Sequence, residues 1–120
     1  MQTTLYDKTG MPVAYIDSIE QNTIYLWNGN PVCYLYQNKI YGFNGLHLGW
    51  YENGIVRDLF GCRIGFTPNT CPVLTKISPI KSLKRLKPVK SLKQLPRIKP
   101  LYKSTLSEDY LMPYLSNGVK

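Results

Sequence analysis

The side chains able to carry acid–base or metal chemistry are few and scattered in this sequence. His47 is the only histidine, and it comes just after a predicted turn, so we expect a surface residue there. Cys33, Cys62 and Cys71 have no metal-binding spacing and no histidine partners, so we predict no zinc site. No nucleophile lies in a recognisable elbow, and no glycine-rich loop opens a helix. The sequence therefore predicts no catalytic residue, no cofactor and no metal, and a protein that is not an enzyme.

The basic residues form the one group with a pattern that suggests a function. Residues 72–103 contain ten Lys or Arg and no acid, whereas the segments on either side each carry a net charge of −1. This concentration predicts an electrostatic partner, or else a solvated polar face that keeps an apolar segment in solution. The expected basic face consists of Lys81, Lys84, Arg85, Lys87, Lys90, Lys93, Arg97 and Lys99.

Three kinds of electrostatic partner are open: nucleic acid, an anionic membrane and an acidic protein. Nucleic acid would be bound through its phosphates alone, because the cations are almost all lysine and the stretch from Lys76 to Lys99 offers no aromatic ring for base stacking. Such binding would be nonspecific and steeply dependent on salt. A membrane is disfavoured because the basic segment lacks Trp and Phe.

An apolar residue recurs at every third place between the basic residues. A helix turns about 100° per residue and would spread this set around its surface, while a strand would alternate it between two faces. Polyproline II has about three residues per turn and aligns the set in one stripe. Pro79, Pro88 and Pro96 also oppose a long helix. This apolar stripe, whose members from Ile77 to Ile98 are the expected interaction residues, is Leu74, Ile77, Ile80, Leu83, Leu86, Val89, Leu92, Leu95, Ile98 and Leu101.

We therefore predict that residues 74–101 are extended and resemble polyproline II; a disordered basic linker is the alternative. Twenty-seven steps of about 3.1 Å give a length of roughly 84 Å. A body of about 70 residues has a radius of gyration near 11 Å. A straight tail cannot dock along its whole length on such a body, so it must wrap, fold back, reach other copies or lie on another partner.

Four copies of one strand–turn–strand unit occupy residues 5–67. Their turn glycines are 19, 16 and 16 residues apart, and an aliphatic residue precedes each glycine by five places. Asn28-Gly29, Asn44-Gly45 and Asn53-Gly54 are typical of type I′ turns. The glycines are Gly10, Gly29, Gly45 and Gly61, and the preceding aliphatic residues are Leu5, Ile24, Ile40 and Val56.

The second strand of each copy holds a small residue between two large ones. The small residues are Ala14, Cys33, Gly49 and Gly65. Such a repeat predicts a close backbone approach on that face and a packed, unreactive Cys33. We infer that the four second strands converge around a pseudo-fourfold axis. Asp7 and Asp58 also align between copies, and we expect solvated strand positions rather than an acid–base pair.

These repeats resemble the four-fold beta-flower family of bacterial proteins. The residues that carry the resemblance are Tyr25 to Val32, Ile40 to Gly45 and Gly65-Phe66. The fourth copy departs from the pattern, since Phe60-Gly61 replaces Asn-Gly. The resemblance implies an all-β fold of four pseudo-symmetric hairpins followed by a Lys/Pro-rich tail, and it implies no activity.

The predicted organisation is a β-flower domain at 1–70, a basic tail at 71–103 and a short segment at 104–120. That last segment begins like a capped helix at Ser107 and is limited by Pro113; a frayed end is the alternative. The first residues do not read as a signal peptide, so we expect a cytoplasmic protein with reduced thiols. The expected function is protein interaction or assembly into a homo-oligomer through the tail, with nonspecific nucleic-acid binding as the alternative and no small-molecule substrate.

Overall fold

Eight short strands form one closed antiparallel barrel in the computed structural model, which describes residues 1–120. Each strand pairs with the next, and β1 closes on β8 through Tyr6 and Phe66. The strands are β1 Gln2–Tyr6, β2 Pro12–Asp17, β3 Thr23–Leu26, β4 Pro31–Tyr36, β5 Lys39–Gly42, β6 His47–Glu52, β7 Ile55–Arg57 and β8 Arg63–Phe66. The prediction of an all-β fold built from four hairpins is confirmed.

The hairpin turns differ from the prediction in one respect. Only the glycine has a positive φ at Asn28-Gly29 and Asn44-Gly45, so these are not type I′ turns. Instead the glycine N–H donates to the carbonyl three residues earlier, and the strand pairing slips by one residue beside the turn. This geometry is that of a type I turn followed by a left-handed glycine in a bulge. The link at Asn53-Gly54 has positive φ at both residues, as predicted.

Asp7 and Asp58 are part of these turns, and the prediction that they are solvated was wrong. Both are buried, and each side chain accepts backbone N–H groups from residues two and four places further on. Asn28 and Asn44 accept the N–H two residues on in their own turns. An Asx side chain therefore holds each of the four turns, from three residues before the glycine at Asp7 and Asp58 and from one residue before it at Asn28 and Asn44.

The barrel interior is lined by aliphatic residues of the first strands and the small residues of the second strands. Leu5 lies opposite Ala14, Ile24 opposite Cys33, Ile40 opposite Gly49, and Val56 opposite Gly65. The aliphatic member of each pair is fully buried. The repeat pattern thus places one large residue opposite one small residue at each of four equivalent points in the core.

A C-terminal helix, α1 Leu111–Ser116, accounts for the small residues. Its Leu111 and Leu115 are fully buried in the barrel core. A Cβ at Gly49 would lie 2.2 Å from the Tyr114 hydroxyl oxygen, and one at Gly65 would lie 2.9 Å from a methyl carbon of Leu111. The cap of the helix is Tyr110, three residues later than the predicted Ser107, so Pro113 falls in the first turn, where the missing N–H costs no hydrogen bond.

Residues 72–103, between the barrel and α1, contain no helix or strand. They follow the outside of the barrel past all four hairpins in order. A polyproline II conformation for this segment stays a prediction, as do the domain boundaries. No helix in the structure has the length and apolar character needed to cross a bilayer.

Candidate interaction surface

The tail, residues 71–103, is tied to the barrel at four equivalent points that are nine residues apart. At each point one backbone N–H of the tail donates to the carbonyl of a hairpin glycine, at 2.8 to 3.1 Å. The pairs are Lys76 with Gly10, Arg85 with Gly29, Gln94 with Gly45, and Lys103 with Gly61. Nine residues of tail therefore correspond to one hairpin of the barrel.

The hairpin glycines are also the places where the tail comes closest. A Cβ on Gly29 would lie 2.0 Å from the carbonyl oxygen of Leu83, and one on Gly45 would lie 2.2 Å from that of Leu92. Gly10 and Gly61 meet the carbonyls of Leu74 and Leu101 in the same way. These positions therefore need glycine for two reasons: the turn has a positive φ there, and the tail backbone approaches too closely to leave room for a Cβ.

Lysine side chains of the tail point inward onto aromatic rings of the outer barrel surface. Lys81 Nζ lies 4.5 Å from the ring centre of Tyr15, and Lys90 Nζ lies 4.1 Å from that of Tyr34. Lys93 lies 4.5 Å from the ring of Tyr36. Cations at this distance from a ring face are attracted by its quadrupole, so the large residues of the second strands hold the tail in place.

Three acids of the barrel bind further lysines of the tail. Asp17 is bonded to Lys84, and Glu20 lies 3.4 Å from Lys87. Burial alone would raise the pKa of Asp17, but hydrogen bonds from Lys84 and from a backbone amide outweigh it, and the pKa is lowered. The third acid is Glu52, at the end of β6.

The Glu52 carboxylate is bonded to three side chains from different parts of the chain. Lys99 lies 2.6 Å from its carboxylate, the Tyr102 hydroxyl bonds to it, and Asn38 donates at 2.6 Å. The hydrogen bonds from Lys99 and Tyr102 lower the pKa of Glu52 to about 2. The carboxylate therefore stays charged over the physiological range and anchors the last quarter of the tail.

His47 is buried against the tail, and the prediction of a surface residue was wrong. Its Nδ1 accepts the backbone N–H of Arg97 at 2.9 Å, so Nε2 carries the proton and donates to the Gly49 carbonyl at 3.0 Å. The ring also packs edge-on against Trp50. Burial lowers its pKa, which keeps the ring neutral and able to accept from Arg97. Alignment of the copies missed this role because the other three copies have no histidine there.

The apolar stripe faces solvent along its whole length. All ten of its side chains are between 86% and 97% exposed. The inward side of the tail is thus formed by amides and lysines, and the outward side by Leu, Ile and Val. Soluble monomers rarely expose a contiguous apolar patch of more than a few hundred Å², so this stripe is the candidate interaction surface.

The dimensions of the molecule place the stripe on its rim. The body measures 37 × 36 × 23 Å, which describes a disc. Nine residues at the polyproline II rise cover about 28 Å, and a quarter of the circumference of a circle 36–37 Å across is about the same. At this predicted rise, three such steps would carry the stripe from the first hairpin to the fourth, around three quarters of the rim.

The nine-residue repeat of the tail could have been recognised in the sequence. Lys81-Ser82-Leu83-Lys84 recurs nine residues later as Lys90-Ser91-Leu92-Lys93. The N–H groups of Ser82 and Ser91 donate to Trp27 and Phe43, which are equivalent turn residues. The three-residue period of the apolar residues hides this longer repeat because nine is a multiple of three.

Comparison with known protein families identifies the family of this chain. Residues 3–115 match the family described as 4-fold beta flower protein, which includes the barrel, the tail and most of α1. The chain belongs to this family. A comparison with curated proteins found no match, and neither did one with solved structures. Membership of the beta-flower family accounts for the four hairpins and specifies no activity.

The described residues of this beta-flower include no group of three or more His, Cys, Asp or Glu side chains able to hold a metal ion. Cys33 is fully buried, and burial raises the pKa of its thiol, so packing is its role, as predicted. The grooves are open and shallow; one of about 300 Å³ runs between the tail at Arg85 and the fourth strand at Val32.

Proposed function

We propose that this beta-flower is a non-enzymatic interaction or assembly module whose apolar stripe packs on a partner protein or on other copies of the chain. The observation that supports it most is the near-complete exposure of ten aliphatic side chains on a segment that is itself docked. Fully burying one such side chain is worth about 1.5–3 kcal/mol. Burial of the whole stripe by a partner would therefore contribute a large favourable free energy to association.

The docking of the tail on the barrel lowers the entropic cost of binding through this surface. Association normally costs conformational entropy, since flexible segments must be ordered at the interface. Here seven backbone N–H groups between Lys76 and Lys103 are already bonded to the barrel. The stripe is thus presented in advance in one conformation, and less entropy is lost on binding.

Nonspecific nucleic-acid binding is the second candidate, and the geometry favours it less. Six of the ten cations of residues 72–103 lie against aromatic rings or acids of the barrel: Lys81, Lys84, Lys87, Lys90, Lys93 and Lys99. Binding phosphates would require them to leave these contacts. The net charge of +8 still supports a weak interaction. A cytoplasmic location with reduced thiols remains part of the proposal.

Photo-crosslinking tests the interaction surface directly. A photoreactive aliphatic amino acid would replace Leu95 in the stripe, or Ile19 in the β2–β3 loop as a matched control that is 81% exposed. On irradiation of cells producing the protein, we expect covalent protein adducts from position 95 and far fewer from position 19. Equal yields at the two positions, or none at either, would refute the proposal.

A salt titration tests the alternative function. The full chain would be mixed with labelled double-stranded DNA at 50 and 200 mM NaCl. Phosphate-driven binding would weaken by orders of magnitude between these conditions. Binding that is absent at low salt would remove nucleic acid from consideration and leave the apolar stripe as the functional surface.

A further inference from the structure

Within the proposed function, we infer that the partner of the apolar stripe is a second copy of this chain, meeting it rim to rim. The inference deepens the proposal above and rests on it. Three features of the rim carry it: the regular spacing of its side chains, the pairing of three of its lysines with acids, and the difference between three of its quarters and the fourth.

The stripe is a ridge on a convex rim rather than a groove. Apolar side chains follow one another at intervals of about 9.3 Å at the polyproline II rise. A partner must therefore present apolar side chains that fit the gaps at the same interval. Another copy of the rim has this interval by construction, and two identical ridges can interleave about a twofold axis.

The charge on the tail is arranged so that copies can approach. With a net charge of +8, two copies would repel each other over the distance of a Debye length. Three lysines of the tail are paired with acids of the barrel, Lys84 with Asp17, Lys87 with Glu20 and Lys99 with Glu52, which lowers the net charge beside the stripe. The remaining repulsion is screened by salt, so rim-to-rim association should strengthen as salt is added.

The fourth quarter of the rim differs from the other three. Residues 102–110 cross it, and Lys8 donates to the carbonyl of Ser107 at 2.7 Å there. Glu108 and Asp109 are exposed in this quarter, and the three-residue apolar pattern has ended. Contacts between copies therefore form through three sides of the disc and not through the fourth, which restricts how an assembly can extend.

A single rim contact is small, so the association is weak and depends on concentration. One quarter of the stripe offers about three aliphatic side chains, which is less than a standard protein interface of about 1,600 Å² provides. We expect a monomer at low micromolar concentration and dimers or larger assemblies at several hundred micromolar. Assemblies using two or three sides of a disc gain by multivalency.

Sedimentation velocity of the full chain tests the inference across this concentration range at 50 and 300 mM NaCl. Leu86→Gln combined with Leu95→Gln removes two exposed stripe residues, and Ile19→Gln is the matched control outside the stripe. We expect the double variant to associate at least ten-fold more weakly than the wild type, the control to be unchanged, and wild-type association to be stronger at 300 mM. An unchanged thermal midpoint would show that both variants are folded.

Other outcomes separate this inference from the proposed function. If the purified wild type stays monomeric at every concentration, or if Ile19→Gln weakens association as much as the stripe variant does, the inference is wrong. In that case crosslinked adducts from position 95 with the mass of a different protein would leave the proposed function standing. Adducts with the mass of two copies would support both, and the absence of adducts together with a monomer would overturn both.

Discussion

The barrel and the tail place their apolar residues in opposite ways. In the barrel, the aliphatic residues Leu5, Ile24, Ile40 and Val56 are buried in the core, and tyrosines such as Tyr15 and Tyr34 are buried on the other face, beneath lysines of the tail. In the tail, the aliphatic residues lie outside, while lysines and amides contact the barrel. The difference arises because the outer surface of the barrel is built of aromatic rings and acids, which bind cations better than they bind leucine.

This comparison shows that an apolar stripe need not be the docked face of a segment. The three-residue period correctly separates the apolar side of the tail from its basic sides. It does not decide which side meets the barrel, because that depends on the opposing surface. In this chain the docked side satisfies backbone N–H groups and lysines, and the apolar side is left exposed to solvent.

The largest expected contrast comes from the same substitution in the two regions. Leu115→Ala leaves a cavity in the barrel core and should lower the free energy of unfolding by about 2–5 kcal/mol. Leu86→Ala removes an exposed side chain and should change it by less than about 0.5 kcal/mol. Urea denaturation of both variants measures this. A loss of more than about 2 kcal/mol in Leu86→Ala would mean that the stripe belongs to the core.

The next contrast separates the two roles of the hairpin glycines. An alanine at position 29 would have to keep a positive φ and would clash with the Leu83 carbonyl. Gly29→Ala should therefore lower the free energy of unfolding by about 2–4 kcal/mol. Gly54→Ala has the strain of the turn and a contact with the Thr67 hydroxyl at 2.9 Å, but it meets no backbone of the tail, and should cost about 1–2 kcal/mol. Denaturation measures both values, and limited proteolysis should cut the tail faster in Gly29→Ala alone. Equal cutting of the two variants would contradict the close approach at Gly29.

Acid should loosen the last quarter of the tail through Glu52. Its pKa is lowered to about 2 in the folded protein, against an ordinary value of 4.5. The stability this group contributes is therefore complete above pH 4.5 and is lost as the pH falls toward 2. Glu52→Gln should abolish this part of the acid dependence. An unaltered stability profile between pH 5 and about pH 2 in the variant would remove Glu52 from the account.

The smallest effect concerns single lysines of the tail. Lys90→Gln removes the cation over Tyr34 and should cost about 0.5–1 kcal/mol. Lys76 makes no side-chain contact with a ring or acid, so Lys76→Gln serves as the control and should change stability by less than about 0.5 kcal/mol. Thermal unfolding compares the two. A larger loss in the control would show that total charge, rather than ring contact, holds the tail.

Much of the fold could be predicted because it is local. The turn glycines, the aliphatic residue five places earlier and the small residues of the second strands repeat four times, and each copy confirms the others. The type I′ prediction was wrong at Asn28-Gly29 and Asn44-Gly45 because Asn-Gly also suits a type I turn with a left-handed glycine. His47 was misplaced because its burial depends on Arg97, fifty residues away, and no local pattern records that contact.

The candidate surface could be predicted in composition but not in orientation. The ten stripe residues were recognised from their spacing, and their use as an interaction surface remains a proposal. The docking of Lys84 on Asp17 and of Lys90 on Tyr34 joins residues far apart in the chain, so the period of the tail alone could not reveal it. The nine-residue repeat, compared with the sixteen-residue spacing of the hairpins, would have been the clue.

Residue-resolved amide hydrogen exchange across residues 74–103 tests the central claim most directly. The claim is that the tail is held by inward N–H groups in nine-residue steps, with its apolar side facing solvent. Protection should appear at Lys76, Arg85, Gln94 and Lys103, with further protection at Ser82, Ser91 and Arg97. The amides of Leu83, Leu86 and Leu95 should exchange quickly. Uniformly fast exchange, or protection concentrated on the stripe residues, would contradict the account.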